Sequence, residues 1–278
     1  MMKHSEFSFS NRRGQALFAQ SWLPDEPPHA VMGIVHGLGD HSGRYQAMAR
    51  WFVERGIGVI SYDQLGHGRT GGAMPHFQVL VRDIDLLIDR LHEFSVPRFL
   101  YGQSLGGGLV TYVALQQKTQ LDGVIAASPL LKTTQEPPAW KIAIGKSLGK
   151  FWPTLTLPTD LNPAHLTHDP VEVDHYRTDP LIRRRVSAAL GISMLEAGRW
   201  SMGQARNLNV PMLMMHGTED AITSCHASAA FAKSASHRCE WKPWQGLFHD
   251  LHHEHDREVV FDFVVQWIQQ RSQTEPKT

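Results

Sequence analysis

The segment Gly102-Gln103-Ser104-Leu105-Gly106 fits the pattern G-x-S-x-G. In that pattern the serine lies on a sharp turn between a strand and a helix, and a side chain at either glycine would collide with neighbouring backbone. An apolar run at residues 96–101 predicts the strand, and the segment that opens with Gly106-Gly107-Gly108 predicts the helix. The sequence therefore predicts a nucleophilic serine at position 104.

A second match to the pattern, Gly145-Lys146-Ser147-Leu148-Gly149, lacks this context. No strand-to-helix switch flanks it. It also fails as a phosphate-binding loop, because G-x-x-x-x-G-K-S would need glycine where the chain has Trp140. We therefore predict Ser104, and not Ser147, as the nucleophile.

Short apolar runs alternate with amphipathic segments on both sides of Ser104. Patterns typical of buried strands cover residues 31–35, 57–62, 96–101, 124–127 and 210–215, and helical patterns cover residues 45–55, 77–94 and the region of 259–267. This alternation predicts an α/β fold, a mostly parallel sheet with helices on both faces. Phe7 and Phe9 alternate with polar residues before a turn, which predicts an antiparallel hairpin at one edge.

One long stretch, residues 132–209, interrupts this rhythm. It contains no convincing strand pattern but several short helical ones. A structureless loop of that length is implausible inside a compact domain. We therefore predict a helical cap, or lid, at 132–209, inserted into a core made of residues 1–131 and 210–278.

The composition excludes several classes of protein. The 278 residues carry 27 basic and 27 acidic side chains, and 42% of them are hydrophobic. Such a chain is too apolar to be disordered and too balanced in charge for a dedicated nucleic-acid binder. Two cysteines cannot form a disulfide framework, and neither a secretory segment nor an apolar run of about 18 residues occurs. These features predict a cytoplasmic protein.

A nucleophilic serine needs an acid and a base, which follow it along the chain in this fold. The apolar run at 212–215 ends in a turn with Glu219 and Asp220. Ligand sites lie at the carboxyl ends of parallel strands. Asp220 is therefore our predicted acid, with Glu219 as the alternative.

Four histidines compete for the role of base. His249 comes first after the predicted last strand at 240–244. His252, His253 and His255 would then be solvated residues at the start of the closing helix. As an alternative, the histidine cluster could bind a metal, because His252 and His255 share one helical face. No H-E-x-x-H motif supports that alternative. We predict His249 as base and no metal.

An oxyanion hole needs two backbone N–H groups directed at the developing charge. Leu105, directly after Ser104, supplies one. The segment His36-Gly37-Leu38-Gly39-Asp40 follows an early strand, and the Leu38 amide is the natural second donor. Without Ser104, the same segment would be interpreted as an ordinary glycine-rich turn.

Several segments, which follow one another along the chain, resemble the sequence motifs of one family. They are His36-Gly37-Leu38-Gly39-Asp40-His41-Ser42-Gly43-Arg44-Tyr45, Asp63-Gln64-Leu65-Gly66-His67-Gly68-Arg69-Thr70, Gly102-Gln103-Ser104-Leu105-Gly106-Gly107, His216-Gly217-Thr218-Glu219-Asp220 and Phe248-His249-Asp250-Leu251. They resemble H-G-x-G-E-H-S-x-R-Y, D-x-x-G-H-G-x-S, G-H-S-M-G-G and the acid and base segments of the monoacylglycerol lipase and lysophospholipase family of α/β-hydrolases. Thr70, Gln103 and Leu105 are among the positions at which the chain departs from these motifs. We expect the latter two positions to contribute backbone more than chemistry.

The resemblance implies an α/β-hydrolase fold, a Ser104–His249–Asp220 triad and oxyanion donors at Leu38 and Leu105. It implies hydrolysis of an acyl ester, first of all a monoacylglycerol, through an acyl-enzyme intermediate and without metal or organic cofactor. The alternatives are a lysophospholipase, a general carboxylesterase, a thioesterase, an aminopeptidase of related fold and a non-enzymatic scaffold. The partner is a small lipid or acyl-ester substrate, with no nucleic acid and no inferable protein partner.

The predicted cap is rich in apolar side chains. We predict that five of them bind the acyl chain, namely Trp140, Ile144, Leu148, Phe151 and Trp152. Interspersed lysines could reach lipid headgroups, so the same face could hold the enzyme at the periphery of a membrane. The alternative is that these residues pack the cap onto the core.

Overall fold

The computed structural model describes residues 2–116, 120–152, 154–159 and 161–272, the side chain of Lys141 excepted. Within these residues, eight strands form the main sheet, in the order β1-β2-β4-β3-β5-β6-β9-β10. Their bounds are β1 Met2–Ser10, β2 Ala16–Pro24, β3 Ala30–Val35, β4 Ile57–Tyr62, β5 Arg98–Gln103, β6 Gly123–Ala127, β9 Met212–Gly217 and β10 Cys239–Trp244. The β1–β2 hairpin is antiparallel and lies at one edge, and from β4 to β10 the strands run parallel. The predicted fold class is confirmed.

Helices cover both faces of this sheet. They are α1 Gln46–Glu54, α2 Phe77–His92, α3 Leu105–Leu115, α4 Ala139–Phe151, α5 Pro170–Thr178, α6 Ala188–Gln204, α7 Cys225–Ser234 and α8 Arg257–Ser272. Side chains alternate along a strand, so Val31 and Val35 of β3 join one core cluster while Met32 and Ile34 join the other. The first cluster contains α2, α3 and α7, and the second contains α1 and α8. Among the described residues, no helix is both long and apolar enough to cross a bilayer.

The segment between β6 and β9 contains α4, α5 and α6 together with a small antiparallel sheet of β7 Thr156–Pro158 and β8 Arg185–Ser187. Our expectation of no strand in this segment was wrong. Each strand has only three residues and pairs with a distant partner, so no alternating pattern was long enough to indicate it. α6 packs on the core, where Trp200 lies against Tyr112 at 4.4 Å between ring centroids. The division into core and cap stays a prediction.

The carboxyl ends of β5, β9 and β10 lie at one edge of the sheet, because these strands run parallel. The turns that follow them contain Ser104, Asp220 and His249. Ligand sites of open α/β sheets lie at this edge. The topology therefore brings together three residues that are far apart in the sequence.

Candidate active site

Ser104 occupies the strained turn that its flanking glycines predict. It lies between β5 and α3 with φ at +54°, a backbone conformation that residues other than glycine rarely adopt. A Cβ at Gly102 would lie 2.2 Å from the Gly106 carbonyl oxygen, and a Cβ at Gly106 would lie 2.0 Å from the Val35 carbonyl oxygen. Only glycine fits at either position, so packing as well as strain explains the motif.

Asp220 and His249 form a buried hydrogen-bonded pair. His249 Nδ1 lies 2.7 Å from Asp220 Oδ2. The other carboxylate oxygen, Oδ1, accepts from the backbone N–H groups of Ile222 and Thr223 at 2.7 and 3.0 Å. Glu219, the alternative acid, is exposed. The structure therefore places Asp220, and not Glu219, against the histidine.

The electrostatics of the pair favour an anionic acid beside a basic imidazole. Burial opposes the charged form of His249, but the Asp220 carboxylate outweighs it and raises the pKa of the imidazole above its ordinary value. Burial likewise opposes the Asp220 anion, yet His249 and a hydrogen bond from His216 hold the pKa of that carboxyl well below its usual range. Asp220 can therefore accept a hydrogen bond from the Nδ1–H group of His249, which leaves Nε2 as the basic nitrogen.

Ser104 and His249 line one cavity of about 430 Å³. Its lining combines apolar side chains with polar ones. Leu130, Leu161 and Met194 belong to the first group, and Gln135, Asn162 and His165 belong to the second. A cavity of this size holds a small molecule, and its mixed lining suits a ligand with an apolar and a polar part.

The two predicted oxyanion donors lie beside Ser104. Leu105 is the first residue of α3, and Leu38 lines the cavity with Ser104. A Cβ at Gly37 would lie 3.4 Å from the Ser104 Cβ, so this loop passes close to the serine. The arrangement can present backbone N–H groups to a carbonyl oxygen bound at Ser104.

Our expectation for the remaining histidines was wrong at two positions. His252 and His253 are buried in a 3₁₀ turn, Leu251–His253, that precedes α8. His252 stacks on the Tyr45 ring at 4.6 Å. The Arg44 side chain donates to His253 Nδ1 at 3.0 Å, and His253 Nε2 donates to the Arg44 carbonyl at 3.2 Å. These histidines are part of the core, which the helical pattern of the sequence did not indicate.

The metal alternative meets an obstacle in the same contacts. Asp250, His252 and His253 have potential ligand atoms within 4.8 Å of one another. Both ring nitrogens of His253 are already hydrogen-bonded to Arg44, whose guanidinium also lies 3.8 Å from Asp250 Oδ2. A cation there would have to displace a buried guanidinium of like charge, so these three residues do not fit a metal.

The apolar residues predicted to bind the acyl chain lie elsewhere. Among the described residues that line the Ser104 cavity, none of the five occurs. Exposed fractions are 61% for Trp140, 52% for Ile144, 69% for Phe151 and 66% for Trp152, while Leu148 is half-buried. Ser147, on the same helix, is exposed and its hydroxyl donates to the Ala143 carbonyl at 3.2 Å. The structure thus brings neither Ser147 nor the apolar face of α4 to the cavity.

Sequence reasoning missed three side chains that contact the Asp220–His249 pair. Gln103 Nε2 donates to the His249 carbonyl at 2.9 Å, so this position contributes more than backbone. Thr223 and His216 both reach Asp220 Oδ2, at 2.8 and 2.9 Å. Gln103 and His216 lie within quoted motifs and Thr223 follows one after Ala221 and Ile222, but position in the sequence does not show where a side chain points.

A parallel sheet that presents a serine on a strained strand-to-helix turn, next to a buried Asp–His pair, defines a serine hydrolase of the α/β-hydrolase fold. Comparison with known proteins agrees with this class. Residues 26–256 match the model of the family described as serine aminopeptidase, S33, and the chain belongs to that family. The predicted resemblance, fold and enzyme class are confirmed.

The chain is also similar to individual proteins over most of its length. It is 31% identical to the monoglyceride lipase of Homo sapiens, over 95% of this chain and 90% of that protein. It is also 31% identical, over 92% of its length, to an uncharacterized abhydrolase domain-containing protein of Dictyostelium discoideum, of which it spans 28%. The crystal structure of Paleococcus ferrophilus monoacylglycerol lipase is 29% identical, covers 98% of this chain and 100% of its own, and superposes with a TM-score of 0.82.

Proposed function

We propose that this serine hydrolase cleaves acyl esters, with monoacylglycerol as its substrate, and that Ser104, His249 and Asp220 are its catalytic triad. The observation that carries the proposal is the buried 2.7 Å hydrogen bond between His249 and Asp220 at the cavity that Ser104 lines. The relatives named as monoacylglycerol or monoglyceride lipases, at about 30% identity over most of the chain, support the choice of substrate.

The proposed reaction proceeds in two halves. His249 Nε2 takes the hydroxyl proton as Ser104 Oγ attacks the ester carbonyl, and the same proton then goes to the departing alcohol. In the second half His249 Nε2 takes a proton from water as the water oxygen attacks the acyl carbonyl. His249 then gives this proton to Ser104 Oγ as the bond between Oγ and the acyl carbon breaks, so the fatty acid leaves and the free serine is restored. Asp220 keeps the Nδ1 proton on His249 and stabilises the imidazolium that forms in each half.

The reaction also requires that the negative charge that develops on the carbonyl oxygen is stabilised. We assign the Leu38 and Leu105 amides to that oxygen. The loop with Gly37 passes close to Ser104, so the two donor segments lie side by side before substrate arrives. Donors that are fixed in advance need no reorganisation at the moment of reaction.

A substrate panel tests the proposed function. Purified enzyme is assayed on long-chain monoacylglycerol, a lysophospholipid of the same acyl chain, p-nitrophenyl esters of rising chain length and an aminopeptidase substrate. We expect the highest kcat/KM on monoacylglycerol and none on the peptide, because the cavity combines apolar and polar lining and the chain resembles monoacylglycerol lipases. Preference for the lysophospholipid or for short soluble esters would overturn the proposed substrate, and cleavage of the peptide alone would overturn ester hydrolysis.

We further propose that residues 132–209 are a cap and that α4 docks on a lipid surface. Ile144, Phe151 and Trp152 are more than half exposed, and Lys146 and Lys150 lie on the same helix. Aromatic side chains prefer the interfacial region of a bilayer, and lysine ammonium groups reach its headgroups. Long-chain monoacylglycerol is found in bilayers and micelles, so docking of α4 on such a lipid surface would bring substrate to the cavity.

A double substitution tests the docking surface. Phe151→Ser with Trp152→Ser should reduce vesicle binding and slow hydrolysis of aggregated long-chain monoacylglycerol several-fold, because the apolar area that enters the lipid is lost. Hydrolysis of a soluble butyrate ester should stay near the wild-type rate, since both side chains are exposed and lie outside the lining of the cavity. An equal fall on both substrates together with a lower Tm would contradict docking and would mean that these residues stabilise the fold.

A further inference from the structure

His216, near the end of β9, contacts the same carboxylate oxygen as His249. His216 Nε2 lies 2.9 Å from Asp220 Oδ2, and His249 Nδ1 lies 2.7 Å from that oxygen. The hydroxyl of Thr223 is a third neighbour of Oδ2 at 2.8 Å. His216 is fully buried and is not among the described residues that line the Ser104 cavity. Any effect of His216 on the reaction is therefore indirect, and Asp220 and Thr223 are the neighbours that link it to His249.

The neighbours of the two His216 ring nitrogens show that Nε2 is a hydrogen-bond donor. His216 Nδ1 lies 2.8 Å from the hydroxyl oxygen of Ser228, which is also fully buried. A bare lone pair on Nε2 would repel the Asp220 carboxylate, so Nε2 carries a proton, while Nδ1 shares a hydrogen bond with the Ser228 hydroxyl. The Thr223 carbonyl, 3.1 Å from Nε2, shares the same proton. His216 thus donates a hydrogen bond to Asp220 through Nε2.

We propose that His216 is a positioning residue, which donates a hydrogen bond to Asp220 and so fixes the orientation and spreads the negative charge of the carboxylate that holds His249. This inference rests on the proposed function, because it gives His216 a part in the Asp220–His249 pair. The three donors around Oδ2 then divide the work. His249 carries the proton of the reaction, while His216 and Thr223 keep the oxygen in place.

The pH dependence of kcat/KM reports whether His216 acts on Asp220 in this way. His249 must be neutral to act as base, so the acid limb of kcat/KM follows the pKa of His249. Asp220 and Asp250 are the carboxylates that raise that pKa against burial, and His252 is the further titratable group coupled to His249. Loss of the His216 donor leaves more negative charge on Asp220 Oδ2. The imidazolium of His249 is then favoured, and the acid limb moves to higher pH.

His216→Leu removes the donor and keeps a side chain of similar volume. We expect kcat on the plateau of the pH profile to fall about tenfold, the size expected for loss of one hydrogen bond to a charged group. KM should stay close to wild type, because His216 is absent from the lining of the cavity. The acid limb should shift to higher pH in the same variant.

His216→Gln is the matched rescue variant, because its amide N–H can reach the position of His216 Nε2. We expect it to recover most of kcat and the wild-type acid limb. Ser228→Ala leaves His216 in place but removes the partner of Nδ1, and it should cause a smaller loss of the same kind. Equal loss in the Leu and Gln variants with an unmoved acid limb would show that His216 only fills space, and wild-type behaviour of all three variants would also overturn the proposal.

Failure of this inference can be told apart from failure of the proposed triad. Each variant is checked for folding by its Tm and then assayed beside His249→Ala. An inactive His249→Ala together with unaffected His216 variants would reject the role of His216 alone. An active His249→Ala would reject the triad itself.

Discussion

Ser104→Ala is expected to abolish ester hydrolysis while the chain stays folded. Removing the nucleophile from a triad enzyme lowers kcat on the order of 10⁴-fold or more, because only binding and the oxyanion donors remain. The substitution removes one hydroxyl from a side chain at the cavity wall, so the packing of β5 against α3 is retained. Hydrolysis of a p-nitrophenyl ester measures the loss, and the Tm shows that the fold persists.

Ser147→Ala is the matched control, because Ser147 lies in the second G-x-S-x-G segment and is exposed on α4. We expect it to keep the wild-type rate. A fluorophosphonate probe, which reacts with activated serines, should label the wild type and the Ser147 variant but not Ser104→Ala. An inactive Ser147 variant beside an active Ser104 variant would show that the wrong serine was assigned.

The turn around Ser104 could be predicted from the sequence because its constraints leave glycine as the residue that fits at two positions of a short motif. Gly102 and Gly106 are required by backbone atoms a few ångströms away, and the residue between them must adopt a positive φ. Apolar runs such as β3, β4 and β6 are buried on both faces, so each was visible as a continuous pattern. Chain order then sufficed to predict Asp220 and His249 as partners.

Features that depend on distant contacts could not be predicted in the same way. His252 and His253 are buried because Tyr45 and Arg44, some 200 residues earlier, provide a stacking surface and hydrogen bonds. The three-residue pair β7 and β8 and the helix α7 carry too little periodic signal. The orientation of Gln103 toward His249 likewise depends on how two loops meet at the sheet edge.

His249→Ala is expected to lower kcat on the order of 10⁴-fold or more, because it removes the general base that activates Ser104. Asp220 Oδ2 receives His249 Nδ1 at 2.7 Å, and the competing histidines are engaged elsewhere. Both nitrogens of His253 are bonded to Arg44, and the His252 ring lies against Tyr45. The measurement is kcat at a pH where His249 is neutral in the wild type, with the Tm as a check on folding.

His255→Ala is the control for this variant, because the His255 side chain is 62% exposed and its nearest charged partner is Asp169 at 3.7 Å. We expect it to retain the wild-type rate. His253→Ala should instead lower the Tm, since it removes the ring nitrogen that accepts a hydrogen bond from the buried Arg44 Nη2. Measuring the metal bound to the wild type and to each variant distinguishes the cofactor-free triad from a metal site formed by the histidines. If the His253 or His255 variant lost activity together with a bound metal, or if a chelator abolished the wild-type rate, the base would act with a metal and the cofactor-free triad would be refuted.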